Sequence, residues 1–262
     1  SSFQMFKEPI TKGLISKFGG LALLGYYEMS ARLVNQVRAL IVTANQVMVP
    51  VVAHTSSNNK EKIKKIYNES MEIIFFIDVI LITCLVIFTP IVSVIWIGFW
   101  EPTFVFSMII LSISMFINIL VGPAYFSCIG EGRLNLILKS QIIIGILNLI
   151  LGFILGYFLL GKGVIISWAL SVTSGSFYLF YNYQKQNKIT LTNLLNKYNI
   201  MLFFVSILVI ILGLLFYNKI ELYFNNIWLT LIFYLFFMAF VFIPLILKNK
   251  KIIGLKKTFF KR

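Results

Sequence analysis

Charge is what this sequence has least of. Of 262 residues only 12% are charged, nine of them acidic, against about 25% in an average soluble domain. Histidine occurs once and cysteine twice, with Cys84 and Cys128 in or at the end of apolar runs. Neither a disulfide framework nor a metal site has the residues it would need. The H-E-x-x-H, G-x-x-x-x-G-K-[ST] and G-x-S-x-G patterns are missing as well, so nothing nominates an enzyme or a cofactor. No basic n-region, short apolar core and small-residue cleavage pattern opens the chain, so no signal peptide is read. A start at Ser1-Ser2 instead of Met reads as a fragment whose earlier part lies upstream.

What fills the space is apolar. Hydrophobic residues make up 59% and mean hydropathy is +0.91, more than a soluble globule of this size can hide. The expected class is therefore an all-α, polytopic transmembrane helix bundle. A crossing helix needs about 20 mostly apolar residues, and seven complete candidates are found at 24–53, 71–98, 103–127, 134–160, 162–184, 199–217 and 226–247. They are too long for barrel strands. Residues 1–20 read as the latter half of one more span, ending at Gly19-Gly20.

The net charge of +14 fits anionic headgroups and positive-inside loops better than nucleic acid. With seven alternating spans, fifteen Lys and Arg fall on one side, in the loop at 60–65, at Arg133, in the 185–198 connection and in the tail from Lys248 to Arg262. The turns on the other side carry Lys162 and Lys219. That asymmetry predicts a cytoplasmic C-terminus. The outward turns are too short to build a catalytic domain.

Charges inside a bilayer cost about 2.5–3.5 kcal/mol each on insertion scales and so face a partner or water. The first 53 residues hold Lys7, Glu8, Lys12, Lys17, Glu28, Arg32 and Arg38. On a helical wheel Glu28, Arg32, Asn35, Gln36, Thr43 and Gln46 share about 100° of arc, whereas Arg38 and Asn45 lie off that stripe and need separate partners or an interfacial position. In the preceding helix Gln4, Glu8, Thr11 and Lys12 also share one face, with Glu8 and Lys12 spaced as a favourable i,i+4 pair and Pro9 loosening the backbone beside them. Two consecutive wet, net-positive faces predict a hydrated cavity that attracts anions. The competing reading is an interfacial segment whose Lys7, Lys12 and Lys17 reach up to headgroups.

Other polar groups give weaker signals. Asp78 and Asn118 lie inside spans, and Asp78 is read first as bonding a neighbouring helix and second as receiving a coupling ion. Asn148 is expected to pack against a helix, Lys139 to reach the interface and His54 to be exposed. Gly152 and Gly156 form a G-x-x-x-G pair suited to a close helix contact.

The stretch EPITKGLISKFGGLALLGYYEMSARLVNQVRALIVTANQVMVPVVA at 8–53, followed by Gly132-Arg133, Asn148 and Gly161/Gly163, resembles the polysaccharide (O-antigen) flippases of Wzx type. These belong to the superfamily of multidrug and oligosaccharidyl-lipid exporters. The resemblance implies two six-helix lobes around a central cavity. Residues 1–184 would be the second lobe, and 185–262 a basic linker, an extra two-helix hairpin and a cytoplasmic tail.

The implied activity moves an undecaprenyl-diphosphate-linked oligosaccharide across the bacterial inner membrane by alternating access, with no cofactor beyond a coupling proton or sodium ion. Lys7, Lys12 and Arg32 would meet the diphosphate, and Gln36 and Gln46 the sugar hydroxyls. Glu8, Glu28 and Asp78 would tune those charges or carry the coupling ion. Implied partners are membrane lipids and the polymerase and glycosyltransferases of the same pathway, not nucleic acid. The rival readings are a drug/cation antiporter of the same superfamily, a membrane-embedded polymerase or ligase, and a structural membrane subunit without transport.

Overall fold

The computed structural model describes residues 2–46, 48–56, 60–189, 197–224 and 226–248, and every regular element among them is α-helical. In chain order these are α1 (Ser2–Gln46), α2 (Met48–Ser56), α3 (Lys60–Ile97), α4 (Pro102–Leu120), α5 (Gly122–Gly130), α6 (Leu134–Asn187), α7 (Lys197–Phe224) and α8 (Ile227–Lys248). Six of the helices are long and apolar enough to cross a membrane. Large apolar side chains such as Leu149, Phe153, Phe204, Leu215, Phe236 and Phe240 are exposed along them, as a lipid-facing surface requires. The protein is a multi-pass helical membrane bundle.

Two helices are too long for one crossing. α1 has 45 residues and α6 has 54, so straight rods would run about 70 and 80 Å through a hydrocarbon layer of about 30 Å. Neither is straight. The backbone of α1 breaks at Gly20 (φ 79°, ψ 174°) and that of α6 at Leu160 (φ 56°, ψ −149°).

Beyond each break the chain doubles back. Lys12 Nζ stands 2.7 Å from Glu28 Oε1, although sixteen positions of straight helix would separate them by about 24 Å. In α6, Ser140 Oγ donates to the Gly175 carbonyl at 2.7 Å and Ser167 Oγ to the Asn148 carbonyl at 3.3 Å. Those pairings describe an antiparallel hairpin. The reversal at Gly19-Gly20 falls where the sequence places the end of the first span.

The two hairpins lock together. Thr11 accepts from Asn148 Nδ2 at 2.8 Å, Leu14 fills the space over Gly152 and Phe18 that over Gly156. The arm 2–19 therefore runs parallel to 134–159. At the turns the backbones touch: a Cβ on Gly161 would lie 2.7 Å from Gly19 Cα. Small residues carry this contact because lipid gives helices no hydrophobic reason to associate, leaving close packing and interhelical hydrogen bonds. Asn148 thus packs against a helix, and the Gly152/Gly156 pair marks a contact.

Two expected spans are each divided. Residues 103–127 become α4 and α5, with Pro123, which has no N–H to donate, in the first turn of α5. Residues 24–53 become the second arm of α1, 21–46, followed by α2. α4 begins at an N-cap, Glu101, whose carboxylate accepts from the Thr103 N–H at 3.2 Å. α7 and α8 pack on α3 through Leu202, Val209, Tyr234, Met238 and Phe242 against Phe76, Val79, Ile87 and Ile91.

The loops alternate between ends as the charge pattern requires. Lys64, Arg133 and Lys188 line one cavity of about 600 Å³ at one end, whereas Lys162 lies over the Phe106 ring near the start of α4 at the other. His54 and Lys139 are exposed.

Leu160 occupies a backbone region that is essentially glycine's alone and costs on the order of 1–3 kcal/mol for other residues. Leu160→Gly is expected to raise the thermal midpoint in detergent. Gly161→Val should lower it, at a stability cost of about 1–3 kcal/mol from overpacking against Gly19. Gly145→Ala, with nothing within 4 Å of the new methyl, should raise it slightly, because alanine has less backbone freedom to lose.

Candidate functional site

Between the arms of α1, α4 and α6 lies a cavity of about 480 Å³, lined on the α1 side by Glu8, Lys12, Tyr27, Glu28, Arg32, Asn35 and Arg38. α4 supplies Leu111, Met115 and Asn118, and α6 supplies Gln141, Ile144, Trp168 and Val172. A second cavity of about 300 Å³ continues toward the Lys-rich end, past Asn45, Gln46, Tyr125 and Ser176. The two share Arg38, Asn118, Gln141 and Ile144. The ionisable faces of the opening helices therefore turn onto a common polar space.

Lys12 is not held by Glu8. Its ammonium pairs with Glu28 across the hairpin at 2.7 Å, both side chains being about two-fifths exposed. The i,i+4 pairing expected within the first helix loses to an interhelical one because the reversal at Gly20 brings Glu28 opposite Lys12. Arg32 is exposed at the cavity wall. Lys17 sits outside the cavity, with its Nζ 5.4 Å from the Phe18 ring centroid and 5.3 Å from that of Phe153. The side chain of Lys7 lies outside the described residues.

The wet face of the second arm is rotated from the expected stripe by about 70° on the wheel. Gln46 remains on a cavity wall, but Gln36 is exposed and lines neither cavity. Thr43 bonds back to the Ala39 carbonyl at 2.8 Å and so satisfies itself locally. The rotation brings in Arg38 and Asn45. Arg38 Nε donates to Asn118 Oδ1 at 3.1 Å, and Asn118 Nδ2 donates to Ser176 Oγ at 2.9 Å. This chain joins α1, α4 and α6 across the centre of the bundle. Sequence reasoning missed Gln141, whose only signal was an isolated amide in the run LILKSQIIIG.

Asp78 differs from its first reading. It is fully buried, and neither carboxyl oxygen has a hydrogen-bond partner among the described residues. Its α3 face also carries Ile74, Ile82 and Val86, all in the apolar cluster between α3, α4 and α1. No neighbouring helix supplies the bond that was expected.

Residues 2–105 match a family described as polysaccharide biosynthesis protein, which bears out at family level the resemblance carried by residues 8–53. No curated protein and no solved structure matches the chain at a significant level.

The geometry predicts hydration. With the two native cysteines replaced, a single cysteine at Arg32 or Asn35 should react with a membrane-impermeant maleimide roughly tenfold faster than one at lipid-facing Leu149, because thiolate needs water. Equal labelling at the three positions would show the cavity to be dry.

Proposed function

From the match of residues 2–105 to a polysaccharide biosynthesis family we propose that residues 1–184 form the second lobe of a flippase, the chain as a whole making seven crossings and one partial one. Its cargo is an undecaprenyl-diphosphate-linked oligosaccharide, moved from the cytoplasmic to the outer leaflet of a bacterial inner membrane. The observation that carries this reading is the polar cavity set with Lys12, Arg32 and Arg38.

A diphosphate-sugar headgroup cannot cross hydrocarbon unaided, since an ion there loses far more hydration than it regains. Guanidinium and ammonium donors replace part of that hydration with charge-assisted hydrogen bonds, while the lipid tail stays in the membrane. Lys12 and Arg32 meet the phosphates, Lys7 is assigned beside them by sequence, and the Gln46 amide serves sugar hydroxyls. Gln36 sits outside both cavities and drops from that role within this lobe.

Glu28 gives the cation site a reset. An arriving phosphate competes with the Glu28 carboxylate for Lys12, and the pair re-forms when the cargo leaves. Because both side chains are partly exposed, the pair is worth only about 0–1 kcal/mol and exchanges readily. The displaced Glu28, together with Glu8 and the buried Asp78, provides carboxyls for a coupling proton or sodium ion. Three cations against two carboxylates on the wall favour anionic cargo over the cationic drugs of an antiporter. The Lys-rich end faces the cytoplasm. Residues 185–262 act as linker, added hairpin and tail.

In cells expressing the full-length protein, Lys12→Gln and Arg32→Gln should each lower surface polysaccharide about tenfold or more at equal protein level, the cost of a lost charge-assisted bond. Normal export from both would overturn the assignment. Asp78→Leu should melt at or above wild type, because a buried unpaired carboxyl stabilises nothing. If Asp78 carries the coupling ion, the same variant loses export without losing protein.

A further inference from the structure

The second cavity contains one charged group. Asn45, Gln46, Tyr125, Ser140, Gln141 and Ser176 supply neutral hydrogen-bonding atoms around it, and Arg38 alone among its lining residues is ionised. No carboxylate lies within ion-pair distance of that guanidinium among the described residues. Of its five N–H donors, Nε is the one bonded to Asn118. The Asn118 amide is itself fixed by Ser176, so the guanidinium is held by its inner edge while the outer fork remains available. A half-buried, unpaired cation at membrane depth is costly unless an anion visits it. Planar forks of this type match phosphate oxygens two at a time.

We propose that Arg38, which stands where the two cavities meet, anchors a second oxyanion site opening into the second cavity, and that this site takes a phosphate group. Ile129 on its wall is the penultimate residue of α5, next to the turn that carries Arg133, which puts the cavity toward the Lys-rich end. On the orientation above, cytoplasmic cargo meets Arg38 first and is then passed along the arm to Arg32 and Lys12. That occupant rests on the flippase reading; the anion site itself rests on the geometry of Arg38. Arg38, Arg32 and Glu28 stand at descending positions on one arm, so each transfer covers about 6–9 Å of helix. A diphosphate can span such a step without being released to bulk water.

The test is isothermal titration of purified full-length protein with inorganic pyrophosphate, beside surface-polysaccharide export in cells. Arg38→Gln is expected to weaken pyrophosphate binding about tenfold or more. Arg38→Lys should recover part of the loss, and Asn118→Ala, which frees the plane of the guanidinium but keeps the cation, should weaken binding less than Arg38→Gln does. Unchanged binding in Arg38→Gln overturns the site. So does a loss in Asn118→Ala equal to that in Arg38→Gln, since Arg38 would then serve only as a tie between helices.

If Arg38→Gln fails to fold, the Arg38→Lys and Asn118→Ala pair decides by the same comparison. Loss of export alongside loss of binding identifies the bound group as the cargo's diphosphate, and retained export identifies it as free phosphate; either supports the site. Silence of Lys12→Gln and Arg32→Gln in both assays, with Arg38→Gln still weakened, removes the flippase reading and leaves this site standing.

Discussion

The contact of Gly19 with Gly161 sets the geometry from which the rest follows. Two hairpin tips meet there with backbone against backbone, a Cβ on Gly161 falling 2.7 Å from Gly19 Cα. A larger residue at either position forces the tips apart. From this point the arm 2–19 lies down along 134–159 through Leu14 over Gly152 and Phe18 over Gly156. The arm 21–46 leaves on the other side of Gly20, so a wedge opens between it, α4 and α6. The backbones touch at the tips, and farther along the arm Glu28, Arg32 and Arg38 line the cavity between it, α4 and α6. A cavity of this kind needs no loops to build it. Two reversals and the requirement that they touch are enough.

Polar groups inside the bundle follow from the same arrangement. In lipid an unmet donor has no solvent to fall back on, so some of those placed between helices bond across to another helix or hairpin arm, while others, such as Ser112, bond back to their own helix. Asn148 takes Thr11 and Ser167, Ser140 takes the Gly175 carbonyl, and Arg38 takes Asn118 and through it Ser176. Bonds of this kind average about 0.6 kcal/mol in membrane proteins. Their effect on register exceeds their effect on stability. Asp78 is met by neither arrangement, being buried with both carboxyl oxygens without a partner among the described residues.

Much of the fold was legible because lipid imposes a simple grammar. Apolar length located the rods, Gly19-Gly20 and Gly161/Gly163 located the reversals, and the separation of Lys64, Arg133 and Lys188 from Lys162 located the ends. The site was legible only in outline. Counting polar residues around a wheel put the wet face at Glu28, Arg32, Gln36 and Thr43, because the count cannot know which polar groups satisfy themselves. Thr43 does so on its own helix. Arg38 was set aside for want of a partner that lay eighty residues away at Asn118. Lys12 was paired with Glu8 because wheel arithmetic treats each helix alone, whereas a hairpin decides the pairing. The break between α4 and α5 had a local signal in Gly122-Pro123, but the apolar run across it spoke for continuity.

On the proposed flippase reading, transport of an anionic headgroup across such a cavity asks that cations be present and yet never firmly satisfied. A cation sealed in a buried, well-bonded ion pair would hold its own carboxylate against any phosphate, because separating such a pair costs about 3–5 kcal/mol. The Lys12–Glu28 pair is instead partly in water, which weakens it to the point where an arriving phosphate can replace the carboxylate and the carboxylate can later return. Arg38 meets the same requirement differently. It is steadied by a neutral amide, which fixes the plane of the guanidinium while leaving its charge uncompensated. Weak pairing at one end and neutral anchoring at the other keep both cations available along a single helix arm. That arm is set beside α4 and α6 by the break at Gly20, so the placement of the cations and the packing of the glycines both follow from one reversal.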